Sequence, residues 1–166
     1  MIEAFLGIGS NIGNRFDNIQ ECISRVKSNL SINCISLSRI YESSPMYNIK
    51  QRNFLNMVIK IETDLEPIEL LNQMKINESA MGRKFDKGSN QPRVIDVDIL
   101  SYADVSFSSK ELVIPHPKII ERDFVLKPWS DIDPYYKLPK INKSISELIS
   151  ELKINNKTIK LYNKNL

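Results

Sequence analysis

Residues 93–100, Arg-Val-Ile-Asp-Val-Asp-Ile-Leu, place two carboxylates two positions apart inside an apolar run. Successive side chains of a β-strand point to opposite faces. Asp96 and Asp98 therefore share one face, while Ile95, Val97 and Ile99 take the other, toward a core. A fold that accepts this strand has to bury one side of it and leave the other reachable. Neighbouring like charges repel, and half-buried strands disfavour Asp. A cation would stabilise the pair, and oxygen ligands without His or Cys suit Mg²⁺, which takes one or two carboxylates together with substrate phosphates. The competing reading is a pair of solvated aspartates on an exposed sheet.

The rest of the chain supplies the partners for such a strand. Residues 2–8 alternate as a strand with Ala4, Leu6 and Ile8 on one face. The turn Gly9-Ser10-Asn11-Ile12-Gly13-Asn14 lacks the Lys and the spacing of a P-loop, and reads better as a turn into a capped helix. Phe16, Ile19, Ile23, Val26 and Leu30 recur at helical spacing. Residues 33–41 and 54–61 read as two further strands; in the latter, Phe54, Asn56 and Val58 face one way and Leu55, Met57, Ile59 and Ile61 the other. Asn56 beside an aromatic suits either the edge of a heterocycle or a polar strand margin. Pro67 fits a first helical turn, and Leu71, Met74, Glu78 and Met81 follow at steps of three and four before a C-capping Gly82. Glu78 thus lands on the apolar stripe, where an unpaired carboxylate is costly; it either reaches a polar site or snorkels to water.

The order strand, helix, strand, strand, helix, strand is the β-α-β-β-α-β arrangement of a ferredoxin-like α+β fold. It predicts an antiparallel sheet with two helices on one face, the second face left free for chemistry, and extra C-terminal elements. Those include a hairpin around 104–110, a helix over 144–152 with Ser144 and Glu147 as a capping box, and a polar tail over 155–166 expected to fray. The long loop over 43–52 and the basic stretch over 83–93, which leads into the Asp pair, are of the kind that carries function; the basic stretch suits a polyphosphate clamp and lid. His116, the single His, is pinned between Pro115 and Pro117, with Arg122 and Phe124 close behind, as in a site wall.

A length of 166 residues fits one domain over 1–166. The net charge of +3 argues against bulk nucleic-acid binding. Two cysteines without metal or disulfide spacing point to a reducing, cytoplasmic setting. No signal-peptide pattern opens the sequence, and no apolar run approaches the ~18 residues of a membrane span.

Taken in order, Gly7-Ile8-Gly9-Ser10-Asn11, Tyr41 with Pro45, Asn53-Phe54-Leu55-Asn56, Glu78 with Gly82-Arg83, Pro92-Arg93-Val94-Ile95-Asp96-Val97-Asp98-Ile99, Pro115-His116-Pro117 and Arg122-Asp123-Phe124-Val125-Leu126 resemble the 6-hydroxymethyl-7,8-dihydropterin pyrophosphokinases of folate biosynthesis. The resemblance covers the chain to about Pro134. It implies transfer of a pyrophosphoryl group from ATP to the pterin hydroxymethyl group, with AMP released. Asp96 and Asp98 would hold two Mg²⁺ ions. Arg83 and Arg93 would act with them in catalysis. The pterin would meet Ser43, Pro45, Met46, Phe54, Asn56 and Phe124. ATP would meet Glu78, Arg83, Arg93, Ile99, Leu112, His116 and Arg122. A cytoplasmic monomer is expected, without nucleic-acid or membrane partners; association with other folate-pathway enzymes stays open.

The sequence departs from the family pattern in places. Phe54 stands where Tyr is frequent, so stacking survives without the hydroxyl. Asn90 and Gln91 replace a Trp-Gly pair, Lys75 replaces a glutamine near the nucleotide, and 84–89 holds fewer arginines than some relatives. Two other classes compete with this reading: a different Mg²⁺-dependent nucleotide-using transferase with a D-x-D site, and a ferredoxin-like nucleic-acid module, which would need an aromatic RNP-like strand and a basic sheet face that the sequence lacks.

Overall fold

The computed structural model describes residues 1–46, 50–84, 91–152, 159–164 and 166. The elements in chain order are β1 (Ile2–Ser10), α1 (Arg15–Lys27), β2 (Ile32–Leu37), β3 (Tyr41–Ser43), β4 (Phe54–Thr63), α2 (Pro67–Ala80), β5 (Asp96–Tyr102), β6 (Phe107–Ser108), β7 (Val113–Ile114), a 3₁₀ turn (Ile119–Glu121), α3 (Asp123–Ile132), α4 (Ile145–Glu151) and β8 (Ile159–Leu161). The main sheet is antiparallel, in the order β5-β1-β4-β3-β8, with β2 also pairing β4. This is the ferredoxin-like arrangement, with β2 and β3 sharing one strand position beside β4.

The first core is the one the alternation indicates. Ala4, Leu6 and Ile8 of β1 and Leu55, Met57, Ile59 and Ile61 of β4 pack against Ile19, Cys22, Ile23 and Val26 of α1 and Leu70 and Met74 of α2. Leu30 lies past the end of α1, fully exposed, so the helical stripe stops at Val26. Gly82 follows α2 at φ +88, a left-handed conformation open to glycine at little cost.

The other face of the sheet is not free along its length. Phe5, Val58 and Leu100 carry a second core made with Val125, Leu126 and Trp129 of α3 and Ile145 and Leu148 of α4. The Trp129 ring lies 4.7 Å from Phe5 and 5.3 Å from Tyr136. Helix α3 has no counterpart among the expected elements and holds Pro128 inside it; an interior proline costs about 3 kcal/mol, which burial of the apolar side chains around it offsets.

The expected strand over 33–41 is broken in two. At the break, Ser38 Oγ accepts from Val58 N at 2.9 Å and Arg39 N donates to Asp131 Oδ2 at 3.2 Å, so side chains replace ladder bonds. The expected hairpin turns later than 104–110, with Phe107 paired to Ile114 and Ser108 to Val113. Ser144 and Glu147 form their capping box on α4. Within the tail expected to fray, Ile159–Leu161 pairs antiparallel with β3.

Candidate active site

The uncovered part of the second face lies at the C-terminal end of β1, the strand between β4 and β5. Gly7 and Gly9 stand in register with Asp98 and Asp96 on β5, and with Val58 and Asn56 on β4. The glycines keep this floor bare: a Cβ on Gly9 would stand 3.4 Å from Asn56 Oδ1, in ordinary contact, and one on Gly7 would press on Leu100 Cδ2 at 3.3 Å. Flanking strands of a three-strand unit are about 10 Å apart. The bare floor therefore leaves a gap between the aspartates on one side and Phe54 and Asn56 on the other. A cavity of about 190 Å³ occupies it, lined also by Ser43, Pro45, Met46, Gln51, Arg93, His116, Arg122 and Phe124.

One wall is apolar with a fixed amide. Asn56 is buried, and its Nδ2 donates to Ser43 Oγ at 2.8 Å. That bond orients the amide and leaves Oδ1 over Gly9. Phe54 enters from β4 and Phe124 from the first turn of α3, and the Arg122 guanidinium lies 5.5 Å from the Phe124 ring centre.

The opposite wall is charged. Asp96 Oδ1 accepts from Arg83 Nη1 at 2.5 Å and Asp96 Oδ2 from Arg93 Nη1 at 2.7 Å. Asp98 Oδ2 lies 3.4 Å from Arg122 Nη1 and 3.9 Å from His116 Nε2. Behind Asp96, the buried Glu78 pairs with Arg83 and accepts from Val97 N at 2.7 Å. Glu78 and Arg83 thus support the wall rather than line the cavity.

Burial, then the Asp96 charge, push the Asp98 carboxyl up to about 6 against the pull of Arg122, Arg93 and Arg83. Burial likewise pushes Glu78 up to about 7; Arg83 opposes this and Asp96 adds to it. Burial and then Arg122 push His116 down to about 4, so the ring is neutral at pH 7. Its Nδ1 accepts from Lys118 N at 3.2 Å, which puts the proton of the neutral ring on Nε2, facing Asp98. The His116 backbone N donates to Leu100 O at 2.9 Å, holding this segment against β5.

A second hollow of about 260 Å³ opens around the edge of β5, lined by Leu71, Val97, Ile99, Lys110, Leu112 and Pro117. Ile99 and Leu112 lie here and not in the first cavity. The two hollows share Asp98 and His116. Lys75 stands near the second, its Nζ 3.6 Å from Glu111 Oε2.

Asp96 and Asp98 are the only carboxylates lining the first cavity among the described residues, and no group of three or more His, Cys, Asp or Glu there could cage an ion. A pair of carboxylates beside open space fits Mg²⁺, which keeps water and takes phosphate oxygens instead of an all-protein shell. The basic stretch read as a clamp and lid falls largely outside the described residues, which omit 85–90 and so the Asn90 departure.

Asn11 was not singled out beyond its motif. It is buried, its Oδ1 accepts from Arg93 N at 2.8 Å, and its backbone N donates to Arg93 O at 3.1 Å. The nearest signal in the sequence is its place directly after the glycine-rich end of β1.

Fold and site together define a ferredoxin-like protein with an aspartate pair facing an aromatic-and-amide wall across a glycine floor. The chain belongs to the 7,8-dihydro-6-hydroxymethylpterin-pyrophosphokinase family, whose pattern matches residues 5–134. It is 38% identical over 151 residues to the 2-amino-4-hydroxy-6-hydroxymethyldihydropteridine pyrophosphokinase of Aquifex aeolicus, covering 91% of this chain and 92% of that protein. It is 43% identical over 138 residues to a folic acid synthesis protein of Dictyostelium discoideum, covering 83% of this chain but 20% of that protein. The chain therefore spans about a fifth of the length of that relative. The HPPK-DHPS structure of Plasmodium falciparum with pteroate superposes with a TM-score of 0.74 at 17% identity, over 90% of this chain and 42% of that one, which shows the shared fold.

Proposed function

We propose that residues 1–166 form one catalytic domain that transfers the β,γ-diphosphoryl group of ATP to the hydroxymethyl oxygen of 6-hydroxymethyl-7,8-dihydropterin and releases AMP. The observation that carries this reading is the meeting of two hollows at Asp98 and His116, one walled by aromatics and an oriented amide and the other lined in part by Ile99 and Leu112. Family membership supports the same chemistry.

In this reading the pterin lies flat between Phe54 and Phe124, within reach of backbone at Ser43 and Met46 and beside Pro45. Asn56 Oδ1 accepts a ring N–H while Ser43 holds the amide in that orientation. ATP places its base against Ile99 and Leu112, and its phosphates run past His116 and Arg122 toward the floor. His116, neutral with Nε2–H toward the cleft, donates to a phosphate oxygen without adding charge. Asp96 and Asp98 would hold two Mg²⁺ ions, which when bound neutralise the phosphates and fix an in-line geometry. Arg93, paired with Asp96 in the free protein, exchanges that carboxylate for phosphate oxygens when nucleotide enters, while Arg83 stays between Glu78 and Asp96. Glu78, through Val97 N and Arg83, keeps the wall in place. The pterin oxygen then attacks the β-phosphorus, its proton leaves to water or phosphate, and the bond to the α-phosphate oxygen breaks.

No helix among the described residues is long and apolar enough to cross a membrane. We take the domain to be a cytoplasmic monomer. Because the matching Lactococcus lactis relative is a bifunctional protein, association with another folate-pathway enzyme fits the same reading. Turnover of ATP and the pterin by wild type, and its loss in Asp96→Asn and Asp98→Asn with folding intact, test the proposal; near-wild-type rates in both variants would refute the role of the pair.

A further inference from the structure

Helix α3 meets the sheet through two kinds of contact. Val125, Leu126 and Trp129 press on Phe5, Val58 and Leu100. Apolar contact is non-directional and does not by itself fix where along the sheet a helix rests. The directional contacts gather near the end of α3, at Asp131. Its Oδ2 accepts from Arg39 N and Arg39 Nε, each at 3.2 Å, and its Oδ1 from Arg39 Nη2 at 2.6 Å. The Tyr41 hydroxyl lies 3.1 Å from both oxygens and donates to one of them. Tyr41 is buried and the Asp131 side chain is 13% exposed, so water has little access to replace these bonds.

Both ends of this tie lead to the aromatic side of the cleft. Phe124 precedes Asp131 by close to two helical turns, so the two side chains leave α3 on the same side. Tyr41 stands opposite Asn56, and Ser43 opposite Phe54, in the register of β3 against β4. Tyr41 and Ser43 share one face of β3, and Ser43 Oγ accepts from Asn56 Nδ2 at 2.8 Å. The short strand that orients Asn56 therefore also holds the helix that carries Phe124. We propose that Asp131 is a positioning residue that fixes the slot between Phe124 and Phe54, and with it how tightly the site holds a flat bicyclic ring. The inference rests on the function proposed above. Asp131 lines neither hollow and acts only through α3 and β3. Arg122, at the start of the same helix, has a side chain long enough to follow a phosphate when the helix shifts, whereas a stacking ring does not.

The test titrates 6-hydroxymethyl-7,8-dihydropterin into intact protein saturated with α,β-methylene-ATP and Mg²⁺, and the nucleotide analogue alone into free protein. In Asp131→Ala the pterin is expected to bind about tenfold more weakly, with the nucleotide analogue within about twofold of wild type. Tyr41→Phe removes one donor and keeps the ring; it is expected to cost about threefold in pterin affinity alone. The double variant is expected to lose no more than Asp131→Ala, because both changes cut one tie. A residue that only held the fold together would lower both affinities alike. Pterin affinity unchanged in folded Asp131→Ala, equal losses for the two ligands, or additive losses in the double variant overturns the proposal. If Asp131→Ala does not fold, Tyr41→Phe decides: a loss confined to the pterin supports the proposal, and no loss overturns it. A wild type that binds the nucleotide analogue but no pterin sinks the function reading instead, and the role of Asp131 with it.

Discussion

Gly9 stands opposite Asp96 in the register of β1 against β5, and its missing side chain is what keeps the cleft floor open between Asp96 and Asn56. In Gly9→Val the Cβ would come 3.4 Å from Asn56 Oδ1 and its methyl groups would fill the floor. Calorimetric titration should show pterin affinity falling by about 100-fold or more, because the added methyl groups take space that a close-packed site has no room to give back. Unchanged pterin binding would mean the ligand does not use this floor.

Phe124 sits on the first turn of α3 beside Arg122, on the aromatic side of the cavity. Loss of one stacking face removes about 1 kcal/mol beyond the area it buries. Phe124→Ala is expected to weaken pterin binding by roughly tenfold or more and to leave ATP-analogue affinity nearly unchanged. Equal losses for both ligands would argue against stacking.

The raised Glu78 carboxyl makes stability fall with pH. In the metal-free protein its folded value of about 7 exceeds the ordinary 4.5, so the native state binds more protons than the unfolded state between those values. Its contribution is fully present below about pH 4.5 and is lost as pH rises through 7. Glu78→Gln keeps an acceptor for Val97 N and removes the titration. Urea unfolding of both proteins from pH 4 to 8 should show wild type losing stability relative to the variant across that window. The shift corresponds to at most about 3 kcal/mol; a pH-independent difference would contradict a buried, raised carboxyl.

Trp129 is fully buried in the second core. Trp129→Ala should cost about 3–5 kcal/mol of stability by the loss of buried area and the cavity left behind. Chemical denaturation measures it, and a loss below about 1 kcal/mol would show that α3 is not held through this ring.

The positions of β1, β4 and β5 were legible because alternate positions of each carry apolar side chains for the first core, while Phe5, Val58 and Leu100, apolar on the other face, gave no sign of the second core they form with α3 and α4. The α2 helix was legible from Pro67 at its start and Gly82 past its end. The same alternation set Asp96, Asp98, Phe54 and Asn56 on one face, where the structure gathers them. Helix α3 was hidden by Pro128, whose local penalty argues against a helix until the burial of Trp129 is known. The break between β2 and β3 depends on Asp131, which bonds Arg39 from 92 positions and Tyr41 from 90 positions along the chain. Asn11 was illegible for a related reason: its partners Gln51, Arg52 and Arg93 come together only through the strand order.

The central claim is that the attacked phosphorus is the β-phosphorus of ATP. Its most direct test is to incubate the protein with ATP, Mg²⁺ and 6-hydroxymethyl-7,8-dihydropterin and to separate the nucleotide products over time. The account predicts AMP appearing in step with pterin diphosphate, one for one. ADP appearing with a pterin monophosphate would place the attack at the γ-phosphorus and contradict it.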